Sequence, residues 1–193
     1  VLQGESALQF CKKDAIDHET IPPPLSAAMY SGGTACTAGA ISAAERSARY
    51  CQPTRDLTGR PKRAGTGAET DKQVTLPEDI FPALQTEKAS MAGFVPDETV
   101  TVRDLLYGAM LPSGAECCEA LAQLVSGSEE NFAALMNQKA AELGMKNTHF
   151  TNATGLTDTE HYSSAADMAK LLQAALHNTT FRTIFTTEHY TTT

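Results

Sequence analysis

No tryptophan occurs among the 193 residues, and aromatics make up only 6% of them. A hydrophobic content of 41% is nonetheless enough for a buried core. Positive charge is scarce too. Fifteen Lys and Arg stand against 23 Asp and Glu, a formal net charge of −8, which argues against a general nucleic-acid binder with its basic stripe. No run approaches the roughly 18 consecutive apolar residues of a membrane-spanning helix. The opening VLQGESALQFCKK has no basic segment followed by an apolar run, so no signal peptide is visible. The five cysteines (Cys11, Cys36, Cys51, Cys117 and Cys118) form no C-x-x-C pair, and the five histidines are scattered, so neither a metal site nor a cofactor is expected.

What is present divides near Val74. Residues 1–73 are rich in Gly, Ala, Ser, Thr and Pro and poor in Leu, Ile, Val and Phe. They offer little surface to bury against the entropy cost of ordering, so a poorly packed or aberrant segment is expected, with at most one short helix over 38–50. From Val74 the pattern changes. VTLPEDI alternates and stops at Pro77. Thr101 with Asp104 three residues on reads as a capping box, followed by an apolar stripe of Leu105, Leu106, Ala109 and Met110. A second helix is expected over 114–125, with Ala115, Cys118, Leu121, Ala122 and Val125 inward and Glu116 and Glu119 as a solvated stripe. A third opens at the N-cap Ser128 and stops at Gly144. After a loop or short hairpin, Ser164 and Asp167 read as the capping box of a fourth helix. FRTIFTTEHYTTT, rich in Thr, Phe and Ile, reads as a linker into a strand.

Three groups of residues are candidates for chemistry. Ser113 stands between Pro112, which fixes the approach of the chain, and Gly114, which lets a backbone come close. It is either the N-cap of the second helix or a serine presented to a cleft. Asp158, Glu160 and His161 place acids beside a histidine, either for acid–base work or as an ordinary solvated loop. Thr148, His149 and Phe150 are suited to orienting that loop.

The stretches LLYGAMLPSG, FAALMNQKAAELGMKNTHFTNATGL and HYSSAADMAKLL together resemble the D-alanyl-D-alanine carboxypeptidases. These are the low-molecular-mass penicillin-binding proteins, serine peptidases related to class A β-lactamases. The resemblance runs from about residue 74 to the end. It implies an α/β fold of the β-lactamase/transpeptidase type, with mainly the helical subdomain present beside an incomplete antiparallel sheet. It implies acyl transfer: a serine in an S-x-x-K motif attacks the bond between two D-alanines with the lysine as base, a second-motif serine relays a proton, and a K-T-G strand holds the substrate carboxylate. Ser113 falls on the second-motif serine as a catalytic residue, with Gly114 and Ala115 beside it at substrate-contacting positions. The partners implied are peptidoglycan stem peptides ending in D-Ala-D-Ala, with β-lactams as inhibitors, in an extracytoplasmic location at the cell envelope.

The sequence departs from that pattern in three places. No Ser is followed three residues later by Lys; the region where the motif is expected contains Ser47 followed by Tyr50. Ala115 stands where the S-x-N motif has Asn. No K-T-G occurs before Thr193, and the Thr-Gly pairs at Thr58, Thr66 and Thr154 have no preceding Lys. The expectation is therefore a carboxypeptidase segment that is itself inactive. A non-catalytic homologue binding cell-wall peptide or a protein partner, or a plain helical domain, is the alternative.

Overall fold

A computed structural model describes residues 70–193. The helix expected over 38–50 and the region around Ser47 lie outside the described residues. Strand β1 (Gln73–Thr75) pairs antiparallel with β2 (Thr99–Thr101) in the register Gln73–Thr101, Val74–Val100 and Thr75–Thr99. Two further bonds extend the ladder, Val102 N–H to the Lys72 carbonyl and Arg103 N–H to the Thr70 carbonyl. After Pro77 a 3₁₀ turn (Glu78–Ile80) runs into α1 (Phe81–Thr86). The helices that follow are α2 (Val102–Met110), α3 (Ala115–Ser126), α4 (Glu129–Glu142), α5 (Ala165–Ala175) and α6 (Thr179–Phe185). Helices thus dominate, beside one small two-stranded sheet among the described residues.

The helix starts follow local chemistry. At α2 both halves of the capping box form: Thr101 Oγ1 accepts from Asp104 N–H, and the Asp104 carboxylate accepts from Thr101 N–H at 3.0 Å. Ser128 caps α4 by accepting from Asn131 N–H, and Gly144 follows that helix at φ 68°, where a side chain would be strained. Ser164 caps α5, but Asp167 does not return the bond. Its carboxylate, 1% exposed, accepts instead from Asn147 N–H, Thr148 Oγ1 and Lys170 Nζ, pinning the turn after α4 to the start of α5. These hydrogen bonds, chiefly that from Lys170, hold the Asp167 carboxyl below its ordinary range.

One element differs from the sequence expectation. FRTIF is helical, not the approach to a strand: Asn178 accepts from Thr180 and Phe181 N–H and starts α6, while Phe181 and Ile184, three residues apart, turn into the core. Burial of one helical face outweighs the β-propensity of the individual residues.

The core joins α2, α3 and α4 to the sheet and the outer helices. Phe132, Phe181, Leu76, Leu105, Leu106, Leu121 and Met136 are its largest fully buried apolar side chains, each worth about 1.5–3 kcal/mol of transfer free energy. Helices α2 and α3 approach closely at Gly108, where a Cβ would stand 2.5 Å from Cys117 Sγ. That contact fixes how the short loop between them, residues 111–114, is presented. The C-terminal segment returns to the start of α2. The Tyr190 hydroxyl donates to Asp104 Oδ1 at 2.8 Å, and Thr193 donates from its N–H to Oδ1 and from its hydroxyl to Oδ2. The Tyr190 ring stacks on Tyr107 with centroids 3.7 Å apart.

Candidate active site

Ser113 lies in the loop from α2 to α3, partly exposed, with φ 60°. The left-handed region costs a non-glycine residue about 1 kcal/mol or more, so its surroundings must impose it. It is not the N-cap. That position belongs to Gly114, which is extended and makes no side-chain cap bond, so the capping alternative for Ser113 is set aside. Gly114 is required by space. A Cβ there would stand 2.6 Å from Ala92 Cβ, 2.9 Å from Ala92 N and 3.0 Å from the Gly108 carbonyl. Its N–H donates to that carbonyl at 2.9 Å. Ala115, buried, is the first residue of α3, and its N–H donates to the Ser90 carbonyl at 2.8 Å.

The expectation of a solvated stripe at Glu116 and Glu119 is corrected. Glu116 is fully buried, and its Oε1 accepts from Ala92 N–H at 2.7 Å and Gly93 N–H at 2.9 Å. Glu119 is partly buried at the rim of a cavity of about 410 Å³ between α1, α3, the start of α4 and the 152–158 loop. Five carboxylates face this cavity: Asp79, Glu87, Glu119, Glu129 and Asp158. Glu129 also anchors the loop, accepting from Ala153 N–H at 2.9 Å. Ser113 does not line this cavity.

Burial, and next the Glu129 carboxylate, push Glu119 from an ordinary 4.5 up to about 8. Between those values the folded state keeps a proton that the unfolded chain has released. Stability therefore falls as pH rises from about 4.5 to about 8. Glu119→Gln should flatten that limb of a melting-temperature profile and raise the melting temperature at its alkaline end. An unchanged slope would show that Glu119 is not the group responsible.

Asp158, Glu160 and His161 are brought together as a loop fold. Asp158 Oδ1 accepts from Glu160 N–H at 2.8 Å. The half-buried His161 accepts at Nδ1 from Thr151 N–H, and burial holds its imidazole below its ordinary value. His149 and Tyr162 form an antiparallel bridge, so the expected short hairpin is present in minimal form. Thr148 and Phe150 also serve the loop. Thr148 Oγ1 meets Asp167, and the Phe150 backbone exchanges bonds with the Asn137 amide through its N–H and carbonyl. None of these contacts reaches Ser113. Glu116 and the Ser90–Gly93 segment, which sequence reasoning missed, do reach its loop.

The fold is similar to that of solved structures. The Streptomyces K15 DD-transpeptidase superimposes with a TM-score of 0.64 at 29% identity, over 80% of this chain and 54% of that one. Penicillin-binding protein 6B from Escherichia coli gives 0.66 at 25% identity, over 84% and 46%. The fold is thus of the DD-peptidase, β-lactamase-like class, with its helical part predominating. The D-alanyl-D-alanine carboxypeptidase family model matches residues 65–193, and the chain belongs to that family. A D-alanyl-D-alanine carboxypeptidase of Streptomyces sp. strain K15 is 35% identical over 144 residues, 72% of this chain and 50% of its own length. One from Bacillus subtilis is 49% identical over 92 residues, 46% of this chain and 24% of its own. The chain spans half, or less, of the length of these relatives.

Proposed function

We propose that residues 74–193 are the helical subdomain of a serine-type D-Ala-D-Ala carboxypeptidase acting on peptidoglycan stem peptides at the extracytoplasmic face of the cell. In this reading Ser113 is the second-motif serine that relays a proton, and Gly114 and Ala115 lie against the substrate. The observation that carries the reading is the conformation of the loop. A non-glycine residue is kept at φ 60° between two packed helices, in the segment whose sequence resembles the family's second motif. Strain of this kind is retained where the surroundings over-determine it and where a side chain has to be presented. A hydroxyl there can pass a proton between a nucleophile and a leaving amine, whereas Ala115 offers no side-chain polar group to the substrate. Its N–H is already given to the Ser90 carbonyl, so Ala115 would meet substrate by packing rather than by a hydrogen bond.

The 193 residues contain no Ser-x-x-Lys, and a serine hydroxyl is a weak nucleophile without an adjacent base. This chain is therefore expected to form no covalent adduct with a labelled penicillin. Incubation followed by denaturing electrophoresis reads this directly. A band that survives denaturation and maps to a serine would overturn the assignment of inactivity. Saturable, non-covalent binding of a D-Ala-D-Ala peptide without hydrolysis would instead favour a homologue that retains recognition alone.

A further inference from the structure

Ser113 is held from outside its own loop, and the holder is a segment 20 residues upstream in space against the start of α3. Residues 90–93 touch the serine loop on both sides of Ser113. The Ser90 hydroxyl donates to the Pro112 carbonyl at 3.0 Å, one residue before it. The Ser90 carbonyl accepts from Ala115 N–H at 2.8 Å, two residues after it. Between these bonds Gly114 packs flat on Ala92, leaving no room for a Cβ. The segment is in turn fixed by one side chain: Glu116 Oε1 accepts from two successive backbone N–H groups, those of Ala92 and Gly93. Gly93 adopts φ 105°, the region open to glycine, which lets both N–H groups converge on one oxygen. Glu116 also sits in the first turn of α3, where the helix dipole favours a carboxylate.

We propose that Glu116 is a positioning residue for Ser113, acting through the Ser90–Gly93 segment to hold residues 112–115 in the turn that presents the serine. The proposal rests on the reading of Ser113 as the motif serine. Burying a carboxyl group is costly unless its oxygens are hydrogen-bonded, and among the described residues the bonds to the Glu116 carboxylate fall on Oε1 alone. An apolar side chain would pack at this place without that cost, but it could not gather two backbone N–H groups. Burial also raises the affinity of Glu116 for its proton. A glutamine, neutral and of the same shape, is thus a fair mimic of the brace.

The test is amide hydrogen exchange on the full chain, read at Gly114 and Ala115, whose N–H groups are bonded to Gly108 and Ser90. Glu116→Ala should accelerate exchange at both by about tenfold or more while amides within α4 and α5 keep their rates, a local opening rather than a global one. Glu116→Gln should restore protection to near the original, because it keeps the Oε1 acceptor. Should Glu116→Ala fail to fold, Ser90→Ala opens the same loop from the other side and should speed exchange at Ala115. Unchanged protection at Gly114 and Ala115, or equal loss across all helices, would overturn the proposal. Exchange does not depend on catalysis, so a failed brace shows here, whereas a failed relay assignment shows only in the turnover of Ser113→Ala.

Discussion

Ser113→Ala is expected to reduce D-alanine release from a D-Ala-D-Ala peptide by about 10²–10⁴-fold, the scale of a positioned proton-transfer group. The measurement needs an active context, which a family carboxypeptidase provides when residues 74–193 replace its matching segment. The structure sharpens the outcome. Because Gly114 is the N-cap of α3, loss of the Ser113 hydroxyl removes no helix cap. Alanine meets the same steric cost at φ 60° as serine does. The variant should therefore melt within about 1 kcal/mol of its parent while losing turnover. Turnover preserved per folded molecule would remove the relay role. A large loss of stability with preserved turnover would return Ser113 to a structural part.

The second large effect is on stability. Asp104 is fully buried and accepts from Thr101 N–H, the Tyr190 hydroxyl and both donors of Thr193. Asp104→Ala strands these donors and removes the capping box, at a cost of about 3 kcal/mol or more. That corresponds to a fall of roughly 10 °C in the melting temperature of a chain this size. Asp104→Asn, which keeps one acceptor oxygen, should fall less. A melt of Asp104→Ala within about 1 kcal/mol of the original would show that water replaces the lost acceptor.

Acid should report on the same group. Burial opposes ionisation of Asp104, but hydrogen bonds from Thr101, Tyr190 and Thr193 outweigh it and hold the carboxyl below its ordinary 3.8. Its contribution is thus present above the ordinary aspartate range and is lost as pH falls through the lower folded value. Glu119 acts in the opposite sense at higher pH. The two groups together predict a stability maximum in the acidic range, between the ordinary aspartate value of 3.8 and the 4.5 at which the Glu119 limb begins to fall.

Features set within three or four residues were legible in the sequence. Thr101 with Asp104, Ser128 and Ser164 announce helix starts by chemistry that is complete locally. Pro-Ser-Gly marked the turn at residues 112–114, and the family motifs marked the fold class. Asn178 carried an equally local cap signal, which the Thr- and Phe-rich run after it obscured. The fate of Glu116 was not legible. Spacing put it on one face with Glu119, and only a backbone segment arriving from 23–24 residues upstream makes its burial tolerable. The same holds for Asp167: Ser164 caps the helix as expected, but the reciprocal half of the expected capping box does not form. Its carboxylate turns instead to Lys170 three residues on and to Thr148 and Asn147, 19–20 residues back, and those last two bonds are not legible locally.

The bonds from Tyr190 and Thr193 to Asp104 span 86 and 89 residues of chain. The capping box at the same aspartate spans three. One carboxylate is therefore shared between a contact that closes almost at once during folding and contacts that must wait for the longest loop closure among them, whose entropic cost has to be met first. Sequence separation alone predicts that Thr101 organises Asp104 early and that Tyr190 docks later onto an acceptor already in place. Interactions made after the folding barrier govern how fast the native state comes apart rather than how fast it forms. On that order the stacked pair Tyr107–Tyr190 is expected to act as a latch: Tyr190→Ala should speed unfolding while leaving the folding rate, which rests on the local contacts of α2, α3 and α4, nearly unchanged.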